Sequence, residues 1–250
     1  GRRILTGVRL NRAASTYLTF SRAVYEELGR SPLRLTTASV SLALDAADTE
    51  ALLRRCGGAY RTQINDLLLA GVYLGVRDWS GNDGVRVALE GHGREELDTP
   101  LDLSQTVGWF TTVFPLTLAD AGADTGAVIR TVKESLRAVP RRGLGYGVLR
   151  HVVRDPQLVA LEAGRRTQLV FNYLGQFDQT LASDGPFAAA RHDLGAMVSA
   201  RRARDFRLEL NGQVAGGELS FALDYSRDEF DRATVEGAAR AIEAALRDVI

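Results

Sequence analysis

The sequence contains very little cysteine and histidine. Cys56 is the only cysteine in 250 residues, so a disulfide within the chain is excluded and a cytoplasmic, reducing location is expected. It has no neighbouring histidine, which favours a small helix residue over a nucleophile. His92, His151 and His192 stand apart from one another, so no cluster has metal-ligand spacing and no metal is expected.

Long apolar runs and excess charge of either sign are also missing. No run approaches membrane-spanning length, and the first residues lack the apolar core of a signal peptide. The 31 basic and 31 acidic side chains cancel, so neither nucleic acid nor a membrane is expected as a partner. The G-x-S-x-G elbow and the Walker loop are absent too. Hydrophobic residues make up 45% of the chain, which suffices for the core of one large domain or two small ones.

Segments with the two-residue hydrophobic period of strands alternate along the chain with segments that have the 3.6-residue period of helices. This order predicts an α/β sandwich of the α+β kind. Strands are predicted over 37–44, 85–90, 111–118 and 167–173, and a hairpin over 206–214 and 218–225. Pro115 suits an edge strand. Helices are predicted over 12–28, from a cap at Asp45 or Asp48 through 55, and over 62–79, 124–139 and 228–250.

Glu90 is the first candidate for chemistry. Val85, Val87 and Leu89 alternate with polar or small residues, which predicts a half-buried strand with Glu90 at its end, on the opposite face. Glycines follow at once and allow a sharp turn. A carboxylate on a rigid strand end is well placed for proton transfer. The alternative is a structural carboxylate that is hydrogen-bonded to neighbouring amides.

Five segments carry a family resemblance. They are YRTQINDLLL at 60–69, EGHGRE at 90–95, TVGWF at 106–110 followed by Pro115, PRRGLGYG at 140–147, and FNYLGQFD at 171–178. In this order, they resemble the later core motifs of epimerization domains of nonribosomal peptide synthetases. The resemblance covers 36–250, and 1–35 is predicted to be an N-terminal helical extension of unclear origin. The 143–147 run follows a helix and Pro140, so it predicts a tight turn rather than a phosphate loop.

The resemblance implies an architecture. Such domains resemble two chloramphenicol-acetyltransferase-like lobes with a tunnel between them, and this chain is similar to the C-terminal lobe, a mixed β-sheet covered by helices. The N-terminal lobe of the family supplies a His-His-x-x-x-Asp-Gly motif, which this sequence does not contain.

The resemblance also implies site residues. Glu90 matches the catalytic glutamate, and Tyr173 is a second catalytic candidate whose phenol would donate to an enolate or relay a proton. A core tyrosine is an equally good interpretation of Tyr173. We expect Glu90 and Tyr173 to share one groove, with Asn172 lining it. His92 is either a residue that orients Glu90 or the turn, or a surface histidine. Trp109 and Phe110 are expected to pack in the tunnel wall.

The implied function is half of an epimerization site. It would convert L- to D-aminoacyl or peptidyl thioesters by α-proton exchange, and alone it would be inactive. No cofactor is bound directly, since the substrate arrives on the phosphopantetheine of a peptidyl carrier protein. The other partner is the missing N-terminal lobe or a neighbouring synthetase domain. The alternative is a non-catalytic scaffold lobe that docks such partners, and an acyltransferase of the same fold is a weaker third interpretation.

Overall fold

One mixed sheet of six strands organises the part of the chain that the structure describes. The computed structural model describes residues 36–95, 102–103, 105–119, 121–122, 124–162, 167–176, 199 and 201–250. The strands are β1 (Thr37–Leu44), β2 (Val85–Gly91), β3 (Thr112–Leu118), β4 (Leu169–Gln176), β5 (Leu208–Ala215) and β6 (Glu218–Ser226). Their order is β1-β6-β5-β4-β2-β3. The β2–β4 and β4–β5 pairs are parallel, and the other pairs are antiparallel.

Seven α-helices accompany the sheet within the described residues. They are α1 (Ala46–Arg54), α2 (Cys56–Tyr60), α3 (Ile64–Ser80), α4 (Thr125–Arg137), α5 (Leu144–Gly147), α6 (Pro156–Glu162) and α7 (Arg232–Val249). The side chain of Asp45 caps α1 by accepting the backbone N–H of Asp48 at 2.9 Å. None of these helices is long and apolar enough to cross a membrane.

The main core lies between one face of the sheet and the helices. Alternate strand residues such as Leu42, Val87, Phe171, Leu210 and Phe221 belong to a single buried cluster with residues of α3, α4 and α7. Helices α3 and α7 approach closely, because a Cβ at position 75 of α3 would overlap the backbone of α7. The side chains on this face of the sheet therefore pack mainly against the helices.

The opposite face of the sheet carries polar and small side chains, and we call it the polar face. Its members alternate with the core residues along each strand; they include Ser39, Ser41, Arg86, Ala88, Glu90, Asn172, Glu209, Asn211, Gln213, Ala222 and Asp224. Most of these are exposed or half-buried, whereas the core residues between them are buried. The exposed polar side chains of the sheet therefore lie mainly on this face.

The predicted α/β architecture is confirmed, and Pro115 does lie on an edge strand, β3. The predicted helix over 12–28 lies outside the described residues. Of the tight turn expected over 143–147, only Gly143 adopts a turn conformation. Arg141, Arg142 and Gly143 have positive φ, but Leu144–Gly147 is already helical and leads into a π-helical segment, Val148–Val153. Residues 143–147 include three glycines, which are poor helix formers, so the sequence did not predict this helical segment.

Candidate functional site

Strand register brings Glu90 and Asn172 together. In the parallel β2–β4 pair, Leu89 is opposite Phe171, so the next residue of each strand lies on the polar face beside the other. The Asn172 Nδ2 group donates a hydrogen bond to Glu90 Oε2 at 3.1 Å. Glu90 is exposed at the penultimate position of β2. The prediction of a carboxylate at a strand end, facing away from the core, is confirmed.

The surroundings of Glu90 favour its protonated form. Although the residue is exposed, neighbouring protein atoms screen part of the Glu90 carboxyl from water, and this desolvation raises its pKa above the ordinary value of 4.5; the negative charge of Glu209 raises it further. Glu209 lies on the same face of β5, two strands away from β2. It is paired with Val170 of β4, and Val170 is paired with Ala88 of β2. A carboxyl group whose pKa is shifted toward neutrality is better suited to both accept and return a proton.

Arg204 holds Glu209 in place, and no sequence pattern indicated this role. Its side chain is 1% exposed. The guanidinium lies 3.4 Å from Glu209 Oε1 and donates to Thr37 Oγ1 at 2.8 Å and to the Asp224 carbonyl at 3.1 Å. An arginine in a loop before a strand is normally interpreted as surface. Here it lies across β1, β5 and β6 on the polar face, an arrangement that only the assembled sheet creates.

Tyr173 does not share the site of Glu90, so the prediction of a common groove is wrong. Asn172 faces Glu90, and strand alternation then places Tyr173 on the other face with Phe171, where it packs against the main core. The register shift of β4 comes only after Tyr173. Its hydroxyl is buried without a hydrogen-bond partner among the described residues, and burial raises the pKa of the phenol.

His92 contacts the turn that follows β2. Its Nδ1 accepts the backbone N–H of Arg94 at 3.0 Å, and its Nε2 lies 3.1 Å from Glu95 Oε1. The side chain is otherwise exposed. Gly93 completes the turn with φ of +68°, and a Cβ there would overlap the Phe110 carbonyl oxygen. These contacts fit orientation of the turn rather than of the Glu90 carboxylate itself.

Arg94 secures the segment that carries Trp109. Its guanidinium donates to the carbonyls of Leu103 and Thr106, at 2.5 and 2.7 Å, and stacks 4.4 Å from the centre of the Phe110 ring. Trp109 itself is 92% exposed. Within the described residues, Trp109 is open to solvent, whereas Phe110 stacks against Arg94. The place of Trp109 in the wall of a tunnel between two lobes stays a prediction.

A second polar cluster anchors the helical segment that follows α4. Arg86, on the polar face of β2, forms an ion pair with Glu162 of α6 and donates to Thr167 Oγ1 at 2.9 Å. Tyr146 and Arg150 also contact Glu162, at 3.2 and 3.3 Å. This cluster occupies the beginning of β2, whereas Glu90 lies at the strand's end. The described residues contain no group of three or more His, Cys, Asp or Glu side chains that could hold a metal.

Comparisons with known proteins agree on one family. The family model for the condensation domain matches residues 25–250. A linear gramicidin synthase protein of Brevibacillus parabrevis is 40% identical over 217 residues, which cover 86% of this chain and 3% of that protein. Surfactin synthase subunit 2 of Bacillus subtilis (strain 168) is 40% identical over 200 residues, 80% of this chain and 5% of that protein.

Solved structures support the same assignment. The epimerization domain from the third module of tyrocidine synthetase B superposes with a TM-score of 0.78 and 34% identity, covering 88% of this chain and 49% of that one. The first condensation domain of the CDA synthetase superposes with a TM-score of 0.56 at 19% identity, covering 91% of this chain and 49% of that one, which shows the fold alone. The chain thus spans about half of that epimerization domain and a small part of its curated relatives. This chain belongs to the condensation domain family.

Proposed function

We propose that this chain provides the glutamate side of an epimerization-type active site. The substrate is an aminoacyl or peptidyl group, held as a thioester on the phosphopantetheine arm of a carrier protein. The observation that carries the proposal is the Glu90–Asn172 pair on the polar face of two parallel strands. The 34% identity to the epimerization domain of tyrocidine synthetase B supports it.

The chemistry follows from a carboxylate beside an amide donor. The thioester carbonyl acidifies the substrate α-carbon. Glu90 removes the α-proton, and the electron pair of the broken C–H bond forms an enolate. Return of a proton to the opposite face of the enolate inverts the centre. Asn172 orients the Glu90 carboxylate through its N–H, and the raised pKa of Glu90 makes that carboxylate a stronger base.

A second acid/base group must face Glu90 across the substrate. The sequence has no His-His-x-x-x-Asp-Gly motif, which the resemblance associates with the other lobe. We assign the second group to such a lobe, either in another chain or elsewhere in a longer protein. Positioned acid/base groups typically contribute rate factors of about a hundred- to ten-thousandfold. The chain by itself is therefore expected to be inactive.

Deuterium uptake at the α-carbon of a carrier-bound thioester in heavy water tests this proposal. The isolated chain should show no enzymatic uptake, whereas the chain combined with a His-motif lobe should show it. Glu90→Gln should abolish uptake by the combined protein. Glu218→Gln is the matched control, because Glu218 is an exposed strand glutamate in the β5–β6 hairpin.

The outcomes separate the alternatives. Full activity of Glu90→Gln in the combined protein would overturn the role of Glu90. Rapid uptake by the isolated chain that disappears in Glu90→Gln would show that a second lobe is unnecessary. A combined protein that binds the carrier protein but never exchanges the proton would favour the scaffold function.

A further inference from the structure

Strand β1 forms an open edge of the sheet. It is the first strand in the order β1-β6-β5-β4-β2-β3, and β6 is its only neighbour within the part of the chain that the structure describes. Its pairing with β6 continues without a bulge over eight residues, Thr37–Leu44. An edge of this length leaves a row of main-chain groups without a partner in the sheet.

The ladder with β6 shows which main-chain groups of β1 face outward. The Arg227 N–H donates to the Thr36 carbonyl oxygen at 2.9 Å, one position beyond the pair of Thr37 and Ser226. In an antiparallel ladder, residues that exchange hydrogen bonds with the partner strand alternate with residues that do not. The N–H and C=O groups that point away from β6 therefore belong to Thr37, Ser39, Ser41 and Ala43.

Strand β1 lacks the usual features that keep an edge strand from pairing. Its sequence, TASVSLAL, contains no charged residue and no proline, whereas the opposite edge strand, β3, carries Pro115. Proteins normally protect long edge strands with charges, prolines, bulges or a covering segment. On the polar face, Ser39, Ser41 and Ala43 are exposed and small, so the side chains of β1 leave room for another strand.

The strand is complementary to a second copy of itself. If two β1 strands run antiparallel about a two-fold axis at Val40, Thr37 lies opposite Ala43, and Ser39 lies opposite Ser41 of the other copy. All the outward-facing residues then form hydrogen-bonded pairs, with about eight main-chain hydrogen bonds in total. Directly opposite residues share a face of the sheet, so apolar residues meet on the core face and small residues meet on the polar face, with no like charges opposed.

We propose that two copies of this chain associate through β1 and form one continuous sheet, with six strands from each copy. Such an interface uses the same surface in both copies and closes without further growth. Both polar faces lie on the same side of the joined sheet. The two Glu90 carboxylates are about nine strand spacings apart, roughly 40 Å, so neither copy covers the site of the other.

The test measures the mass and the amide hydrogen exchange of the full chain as a function of its concentration. Analytical ultracentrifugation from about 1 to 200 μM, a range that brackets micromolar affinity, should show a change from the mass of one chain to that of two. The N–H groups of Ser39, Ser41 and Ala43 should gain protection as the concentration rises. Those of Val40 and Leu42, which bond to β6, should be protected at every concentration.

Variants of the edge strand sharpen the result. Ser41→Pro should weaken the dimer about tenfold or more, because it removes about two main-chain hydrogen bonds across the axis and none to β6. Val113→Lys, on the opposite edge strand β3, is the control and should leave the dimer unchanged. If Ser41→Pro fails to fold, Ser41→Lys replaces it, since two like charges near the axis should weaken the dimer at low salt. Adding Ser39→Glu should then restore the dimer, because position 39 lies opposite position 41 of the other copy.

Each outcome decides the proposal. A chain that stays monomeric at the highest concentration would overturn it. Protection of the outward-facing N–H groups at every concentration would show that another segment of the same chain covers β1, and would overturn it as well. A dimer that leaves these groups unprotected, or that is unaffected by the variants at Ser41, would use another surface and would also overturn it. None of these results depends on proton exchange at Glu90.

Discussion

Replacing Arg204 by methionine should strongly destabilise the fold. The guanidinium is almost fully buried and contacts Glu209, Thr37, and the carbonyls of Phe206 and Asp224, at 2.8–3.4 Å. Without it, Glu209 keeps a charge in a position that is only 10% exposed. Removing one partner of a buried ion pair typically costs about 3–5 kcal/mol. This is a large part of the roughly 5–15 kcal/mol by which domains are stable.

Matched variants separate the contributions of the two partners. Glu209→Gln should cost a similar amount, about 3–5 kcal/mol, because it leaves the Arg204 guanidinium, which is 1% exposed, without its counter-charge. In the double variant the buried charge of Glu209 is gone, so its cost should fall below the sum of the single costs by about 1 kcal/mol or more. Urea denaturation at pH 7 measures all three free energies of unfolding. A loss below about 1 kcal/mol for Arg204→Met, or strict additivity, would refute the role of the buried charge.

The same pair should influence Glu90. The negative charge of Glu209 is one cause of the raised pKa of Glu90, after partial burial. Glu209→Gln should therefore lower the pKa of Glu90, which ¹³C NMR of the side-chain carboxyl can measure. An unchanged pKa would show that burial alone accounts for the shift.

Three further predictions concern the turn, the pH response and the buried phenol. Gly93→Ala should cost more than about 1 kcal/mol, because Gly93 has φ of +68° and a Cβ would overlap Phe110, whereas Gly145→Ala, with open space around it, should be tolerated; equal stability of the two variants by thermal unfolding would contradict this. The pKa of Glu90 is higher in the folded state than in the unfolded state. Its contribution to the free energy of unfolding is therefore most favourable below pH 4.5 and is lost as the pH rises through the folded pKa. Glu90→Gln should accordingly gain stability over the parent between about pH 4 and pH 8, and a constant difference would argue against the shift. Tyr173→Phe should be neutral or slightly stabilising, since the hydroxyl has no partner among the described residues; a loss above about 1 kcal/mol in urea would reveal a partner.

Local patterns in the sequence were sufficient for the six strands and for helices α1, α3, α4 and α7, but not for the short helical segments between Leu144 and Glu162. The strand Thr37–Leu44 and the edge position of Pro115 follow from period-2 alternation and from the missing N–H of proline. The orientation of Glu90 away from the core follows from the same alternation, because a residue's face depends only on its neighbours in the strand. These features hold in any tertiary arrangement that buries the apolar face.

Relations between distant strands were decided only by the tertiary structure. Strand alternation requires Asn172 and Tyr173 to lie on opposite faces of β4, but the sequence could not show which of them would meet Glu90. That choice depends on the β2–β4 register across 82 residues of chain, and a shift of one residue would reverse it. The burial of Arg204 and the alignment of Asn211 with Asn172 arise in the same way. Strand order and register are set by packing of the whole core, and no short stretch of sequence contains that information.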